Sequence, residues 1–199
     1  MIGLYTLKPR LQHRLEPLAR FLHGRRVTPD AVTTAGLVFA GLSGGAIWAS
    51  AHSRLWLTLV PTAGALRILA NALDGMLARR RASTKAAGEV WNEMADRFGD
   101  LLMIVPMATV DGVLSVLVFG ATIASLLSSH VAVAVRAATG CPRPRNGWMG
   151  KPDRVAVVGV GALVALVAPV SVVLNSVLVV VGVGSIHSLC SRWISQQAA

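Results

Sequence analysis

The sequence predicts an all-α integral membrane protein, with six transmembrane helices preceded by an amphipathic interfacial helix. Three observations carry this expectation. The 199 residues are 54% hydrophobic and 14% charged, with mean hydropathy +0.61, whereas soluble domains carry about 25% charged residues. Apolar runs approaching the roughly 20 residues of a membrane span recur at 31–51, 55–78, 93–110, 112–135, 154–169 and 171–191. Basic residues fall on alternate sides of these runs. Lys8, Arg10, Arg14, Arg20, Arg25 and Arg26 precede the first; Arg79, Arg80, Arg81 and Lys85 follow the second; Arg136, Arg143, Arg145, Lys151 and Arg154 separate the fourth from the fifth. The opposite loops offer only Arg54. This positive-inside asymmetry places both termini in the cytoplasm, in a membrane of the bacterial inner or plasma type. The net charge of +10 is therefore read as topological and lipid-facing, with no nucleic-acid partner.

Residues 1–27 form the expected N-terminal cytoplasmic segment, and 28–199 the six-helix domain. Leu7, Leu11, Leu15, Leu18 and Phe21 recur at helical spacing among basic residues, despite Pro9 and Pro17. That pattern suits a helix lying on an anionic leaflet, or equally one packed on the protein's own cytoplasmic face. The segment is basic and amphipathic rather than apolar, so it does not read as a cleavable signal. Thr28-Pro29-Asp30 starts the first span, with Thr28 or Asp30 as its cap. The first span carries Gly36, Gly41, Gly44 and Gly45, the last Gly182 and Gly184, as close-packed membrane helices do. Pro106 is expected to kink the third span. Residues 137–153 read as a Pro/Gly-rich loop. Cys141 and Cys190 show no pairing or zinc spacing.

Between 71 and 100 lies a polar island holding five of the nine acidic residues: Asp74, Glu89, Glu93, Asp96 and Asp100. Carboxylates near a bilayer core cost several kcal/mol unless partnered or used. Arg67, Asn71, Asp74 and Ala78 fall on one face of the second span, with Gly75 leaving room beside them. Gly88, Asn92, Asp96 and Asp100 repeat every four residues on the third. Packed antiparallel, the two faces converge into a set of hard oxygen donors suited to Mg²⁺ or Mn²⁺, with arginines fit for phosphate. Such a set at a membrane surface points to phosphoanhydride or phosphodiester chemistry on a lipid. An ion-coupled transporter is disfavoured, since the acids gather at one membrane edge rather than at the midplane. A polar cluster that merely bridges helices is the plainer alternative.

These residues resemble the signature of the CDP-alcohol phosphotransferase family, D-x-x-D-G-x-x-A-R, eight residues, G-x-x-x-D-x-x-x-D. The chain gives N71-A-L-D74-G75-M-L-A78-R79, eight residues, then G88-E-V-W-N92-E-M-A-D96. The spacing is met at all eight signature positions and the residue at six, and the resemblance covers most of the chain. It implies six membrane helices, a homodimer, two divalent metals over the CDP diphosphate (for this chain, one or two Mg²⁺ or Mn²⁺ ions), and transfer of a phospho-alcohol unit from a CDP-linked lipid such as CDP-diacylglycerol to an alcohol acceptor. Carried over, Asn71, Asp74, Asn92 and Asp96 stand at the metal positions, Asp74, Gly75, Ala78, Arg79 and Gly88 at the nucleotide, and Asp96 at the base. Asn71 and Asn92 depart from the pattern: an amide ligates without bringing charge. A shifted shell recruiting Glu93, Glu89 or Asp100, a single metal, or a non-catalytic CDP-lipid-binding relative would each accommodate that departure. Since Asn keeps size and oxygen, an active enzyme is the preferred reading. Arg67, one turn deeper than Asn71, is assigned a charge-balancing role with Asp74 or a substrate phosphate as partner. Arg136, Lys151 and Arg154 are candidates for an acceptor that carries its own phosphate.

Overall fold

The computed structural model describes residues 8–81, 86–140, 144 and 146–197. Lys85, Cys141, Arg143, Arg145 and the first residues of the amphipathic stretch lie outside them. Among the described residues there is no strand. Seven α-helices follow in order: α1 Lys8–Gly24, α2 Pro29–Ala49, α3 Leu59–Arg80, α4 Ala86–Ile104, α5 Ser115–Thr139, α6 Lys151–Val164 and α7 Val170–Gln197. Short 3₁₀ turns precede α3 (Arg54–Thr58) and follow α4 (Val105–Thr109).

Four segments are long and apolar enough to cross a membrane: Pro29–Ala49, Arg54–Arg80, Ser115–Thr139 and Val170–Ser195. The expected third and fifth spans are not among them, for physical reasons. α4 carries Glu89, Glu93, Asp96, Arg97 and Asp100 within its 19 residues. α6 has 14 residues, about 21 Å of helix, short of a hydrocarbon core of about 30 Å. Pro106 does more than bend its helix: the α-helix ends at Ile104 and the chain continues as a 3₁₀ turn with Pro106 in its first positions.

Local signals at the ends behave as their chemistry requires. Thr28, and not Asp30, caps α2, its Oγ1 accepting from Ala31 N at 3.1 Å. α5 stops at Gly140, whose φ of 69° continues the chain in the left-handed region. Asp153 accepts from Gly150 N at 2.8 Å and fixes the start of α6. α1 uses two sides. Ala19 is buried, with Leu15 and Leu22 packed on Val32, Leu73 and Leu77. Leu18 and Phe21 face outward. Its inner side thus follows the packed-helix alternative, and its outer side remains apolar.

The main apolar core runs through all the later helices, from Ala40 and Ile47 on α2 to Leu174 and Leu178 on α7. Helix approach is closest where α2 crosses α4: a Cβ on Gly44 would lie 1.9 Å from Leu102 O and 3.0 Å from Pro106 Cγ. Gly41, in the same helix, has nothing within 4 Å of such a Cβ. Only part of the glycine-rich face is therefore an interface.

Deeper charge ties three helices together. Asp100 on α4 accepts from Arg67 of α3 at 3.2 Å and from Arg154 of α6 at 2.6 Å. All three are buried to 3% exposure or less. Arg67 also donates to Asp96 O at 3.3 Å and meets Met103 Sδ at 2.9 Å. Gly99 admits it: a Cβ there would stand 2.4 Å from Arg67 Nη2.

Two outcomes follow from this packing. Gly44→Ala should destabilise the detergent-solubilised protein by about 1–3 kcal/mol through overpacking, while Gly41→Ala should stay within about 0.5 kcal/mol of the parent, both read by thermal unfolding. Asp100→Asn leaves two buried guanidiniums facing one another and should cost about 3–5 kcal/mol. An unchanged midpoint for Asp100→Asn would show that the ion triad does not hold the bundle.

Candidate functional site

The C-terminal half of α3 and the middle of α4 face each other, and their polar residues pair crosswise. Asn71 Nδ2 on α3 donates to Asp96 Oδ1 on α4 at 3.2 Å. Asn92 Nδ2 on α4 donates to Asp74 Oδ2 on α3 at 3.2 Å. Each helix therefore contributes one amide and one carboxylate, and each carboxylate accepts from the amide opposite. The four-residue and three-residue spacings put these groups on facing stripes, so the convergence expected of 71–74 and 92–96 is realised.

Two further groups complete the cluster. Thr33 Oγ1, from the second turn of α2, donates to Asp74 Oδ2 at 3.0 Å. Lys151, the first residue of α6, brings its ammonium onto Asp96 Oδ2. Asp74 is 4% exposed, and the side chains of Asp96 and Lys151 are 11% and 25% exposed. The cluster thus opens to one side, at Asp96 and Lys151, and is closed at Asp74.

The remaining sequence candidates divide into those at this cluster and those held elsewhere. Gly75 follows Asp74, and Arg79 folds back along α3 so that a Cβ on Gly75 would be 3.5 Å from Arg79 Nη1. Ala78 lies between them in the same helix. Gly88 packs under Asp30 at the start of α2, where a Cβ would approach Asp30 Oδ1 at 3.0 Å. Arg79 also lines a cavity of about 300 Å³ with Gln12, His13, Glu16, Met76 and Arg80, closed at one side by the Arg80–Glu16 ion pair.

Five candidates have other partners. Arg67 pairs with Asp100, not with Asp74. Asp100 is enclosed by Arg67 and Arg154, and Glu93 is held by Arg97 at 3.0 Å, one turn along α4. Arg154, expected at an acceptor, turns inward to Asp100 and to Ser129 Oγ at 3.0 Å. Arg136 lies outside on the surface, paired with the half-exposed Glu89. Thr33 is the residue sequence reasoning missed. Its signal was a hydroxyl pair, Thr33-Thr34, inside an otherwise apolar first span.

The donor chemistry can be tested against the divalent ion that the motif implies. Asp74 and Asp96 offer carboxylate oxygens, and Asn71 and Asn92 offer amide oxygens once the amides turn about their last bond. That is a hard-oxygen set, fit for Mg²⁺ or Mn²⁺. Its acid content is two: among the described residues no group of three or more His, Cys, Asp or Glu side chains converges to hold a metal.

Comparison with known proteins places this geometry. No protein-family model matches the chain. It is 30% identical over 166 residues to inner membrane protein YnbA of Escherichia coli, covering 83% of this chain and 82% of that protein. It is 29% identical over 150 residues to a phosphatidylinositol phosphate synthase of Mycolicibacterium smegmatis, covering 73% of this chain and 66% of the synthase. The fold matches the crystal structure of Mycobacterium tuberculosis phosphatidylinositol phosphate synthase with CDP-DAG bound, with TM-score 0.71, 21% identity and coverage of 89% and 90% of the two chains. It also matches that synthase in complex with manganese and citrate, with TM-score 0.66, 24% identity and coverage of 90% and 87%. The chain is thus a relative of YnbA over most of both proteins, and its likeness to a phosphatidylinositol phosphate synthase agrees with the signature spacing.

Proposed function

We propose that the protein transfers a phosphatidyl unit from a CDP-linked lipid, CDP-diacylglycerol in the first instance, to a hydrophilic alcohol acceptor, releasing CMP. The observation that carries this reading is the crosswise cluster of Asp74 and Asp96, which meets Gly75 and Arg79 at one end and opens beside Lys151 at the other. The similarity to a phosphatidylinositol phosphate synthase supports the substrate class. In this reading the CDP diphosphate lies over Gly75, Ala78 and Gly88, with Arg79 as its guanidinium partner. Mg²⁺ or Mn²⁺, held by Asp74 and Asp96 with Asn71 and Asn92, would supply charge neutralisation at the diphosphate when bound.

The protein's own groups then do the rest. The acceptor hydroxyl enters from the open side, and its proton passes to an oxygen of Asp96 as general base. The acceptor oxygen forms a bond to the phosphatidyl phosphorus, the bond from that phosphorus to the CMP oxygen breaks, and CMP departs. Lys151, on Asp96 in the free protein, is the cation available to an acceptor that carries its own phosphate, and it must yield Asp96 as the acceptor arrives. Asp100 and Arg154, engaged with each other, serve to position rather than to bind. α4 with its 3₁₀ extension and α6 are read as the remaining two crossings, with the site and both termini cytoplasmic and the chain a homodimer in the membrane.

A second reading, a non-catalytic CDP-lipid-binding protein of the same fold, gains support from the fact that both carboxylates already accept hydrogen bonds within the protein. The two separate cleanly. CMP release from CDP-diacylglycerol, with Mg²⁺ or Mn²⁺ and a panel of acceptors including glycerol phosphate and inositol phosphate, is expected for the parent. Removing the base in Asp96→Ala should lower the rate by about 10²–10⁴-fold while CDP-lipid binding persists. Binding without turnover under every metal and acceptor would instead establish the binding-only protein.

A further inference from the structure

The charges around the cluster balance without any added ion. Arg67, Lys151 and Arg154 supply three cations, and Asp74, Asp96 and Asp100 three carboxylates, linked by the contacts Arg67–Asp100, Arg154–Asp100 and Lys151–Asp96. The two positions that could have added negative charge, Asn71 and Asn92, are neutral and spend their N–H groups on the carboxylates. Arg79 beside Gly75 adds a further positive charge at the rim.

A diphosphate joining two alcohols carries two negative charges, and one divalent cation offsets them. A second would add two positive charges with nothing to offset them in a cluster that is largely withdrawn from water, where unbalanced charge is expensive. The contact of Lys151 with Asp96 makes the same point locally, since an ammonium already occupies one oxygen of one of the two acids. We propose that this site takes a single divalent cation, that the cation binds together with the diphosphate rather than ahead of it, and that Lys151 with Asn71 and Asn92 sets that count.

This inference rests on the CDP-lipid reading, yet its test does not depend on turnover. Bound Mn²⁺ per chain is counted by electron paramagnetic resonance on the detergent-solubilised full-length protein, with and without a short-chain CDP-diacylglycerol and with protein-free micelles as control. The expected result is one Mn²⁺ per chain with the lipid and weak binding without it. In N71D/N92D/K151M the expected count is two. K151M alone keeps the question decidable should the triple variant misfold: removing one positive charge beside the ion should tighten Mn²⁺ by about tenfold or more. Two ions on the parent, tight binding in the absence of lipid, one ion still on a folded triple variant, or unchanged affinity in K151M would each overturn the proposal. CMP release measured on the same preparation separates the two readings. One ion without release fails the transferase alone, and two ions with release fail the single-ion inference alone.

Discussion

The interior of this bundle is organised around one carboxylate between two guanidiniums. Asp100 joins Arg67 and Arg154, and thereby α4 to α3 and α6, in a place where neither acid nor base survives alone at tolerable cost. A ring of apolar contacts could hold the same helices at a similar distance, but would leave their rotation and axial position loosely set. Arg67 adds a contact to Asp96 O, so the turn of α4 that carries Asp96 is fastened directly to α3. The polar cluster above the triad consequently stands on helices whose relative register is pinned by geometry that tolerates little slippage, which is what a site built for precise contacts needs.

How far the sequence could be read depends on whether a relationship lies within one helix or between two. The three- and four-residue spacings of Asn71–Asp74–Ala78 and Gly88–Asn92–Asp96 are properties of single helices, and the facing stripes they imply are found. The partner of Arg67 depends on the axial offset of α3 against α4, and one helical turn, about 5.4 Å, is enough to exchange one carboxylate for another. Periodicity carries no information at that level. The same limit explains Arg154 and Lys151. Both sit at the start of α6, three residues apart, yet one turns into the core to Asp100 and the other reaches Asp96. Span count was not legible for a different reason: α4 and α6 are helices whose charge or length departs from a free-standing membrane span.

α1 shows how one pattern divides between the two sides of a helix. Its inner residues, Ala19, Leu15 and Leu22, complete a small core over α2 and α3, while Leu18 and Phe21 remain exposed beside Arg25, which lies 5.1 Å above the Phe21 ring. An apolar outer edge flanked by arginines is what an interfacial helix presents to headgroups. α1 also lines one cavity with Arg79 and Arg80, so a shift of this helix would change the surroundings of both arginines.

The amides at 71 and 92 bear most directly on whether the cluster is a working site or a remnant. Loss of function at a charged site ordinarily leaves orphans, since a remaining carboxylate keeps its need for donors after its partners go. Here each amide is matched to the carboxylate on the opposite helix, Thr33 adds a donor to Asp74, and Lys151 adds one to Asp96. Both carboxylates therefore keep hydrogen-bond donors within the protein. The cluster also differs in kind from a four-carboxylate site. Four acids facing one another need cations to coexist, so such a site is charged with metal before substrate arrives. Two acids, two amides and a lysine leave far less negative charge to offset. With a single cation arriving together with the diphosphate, as we propose, the exchange of Asp for Asn would move the source of the site's ionic requirement from the protein to its substrate.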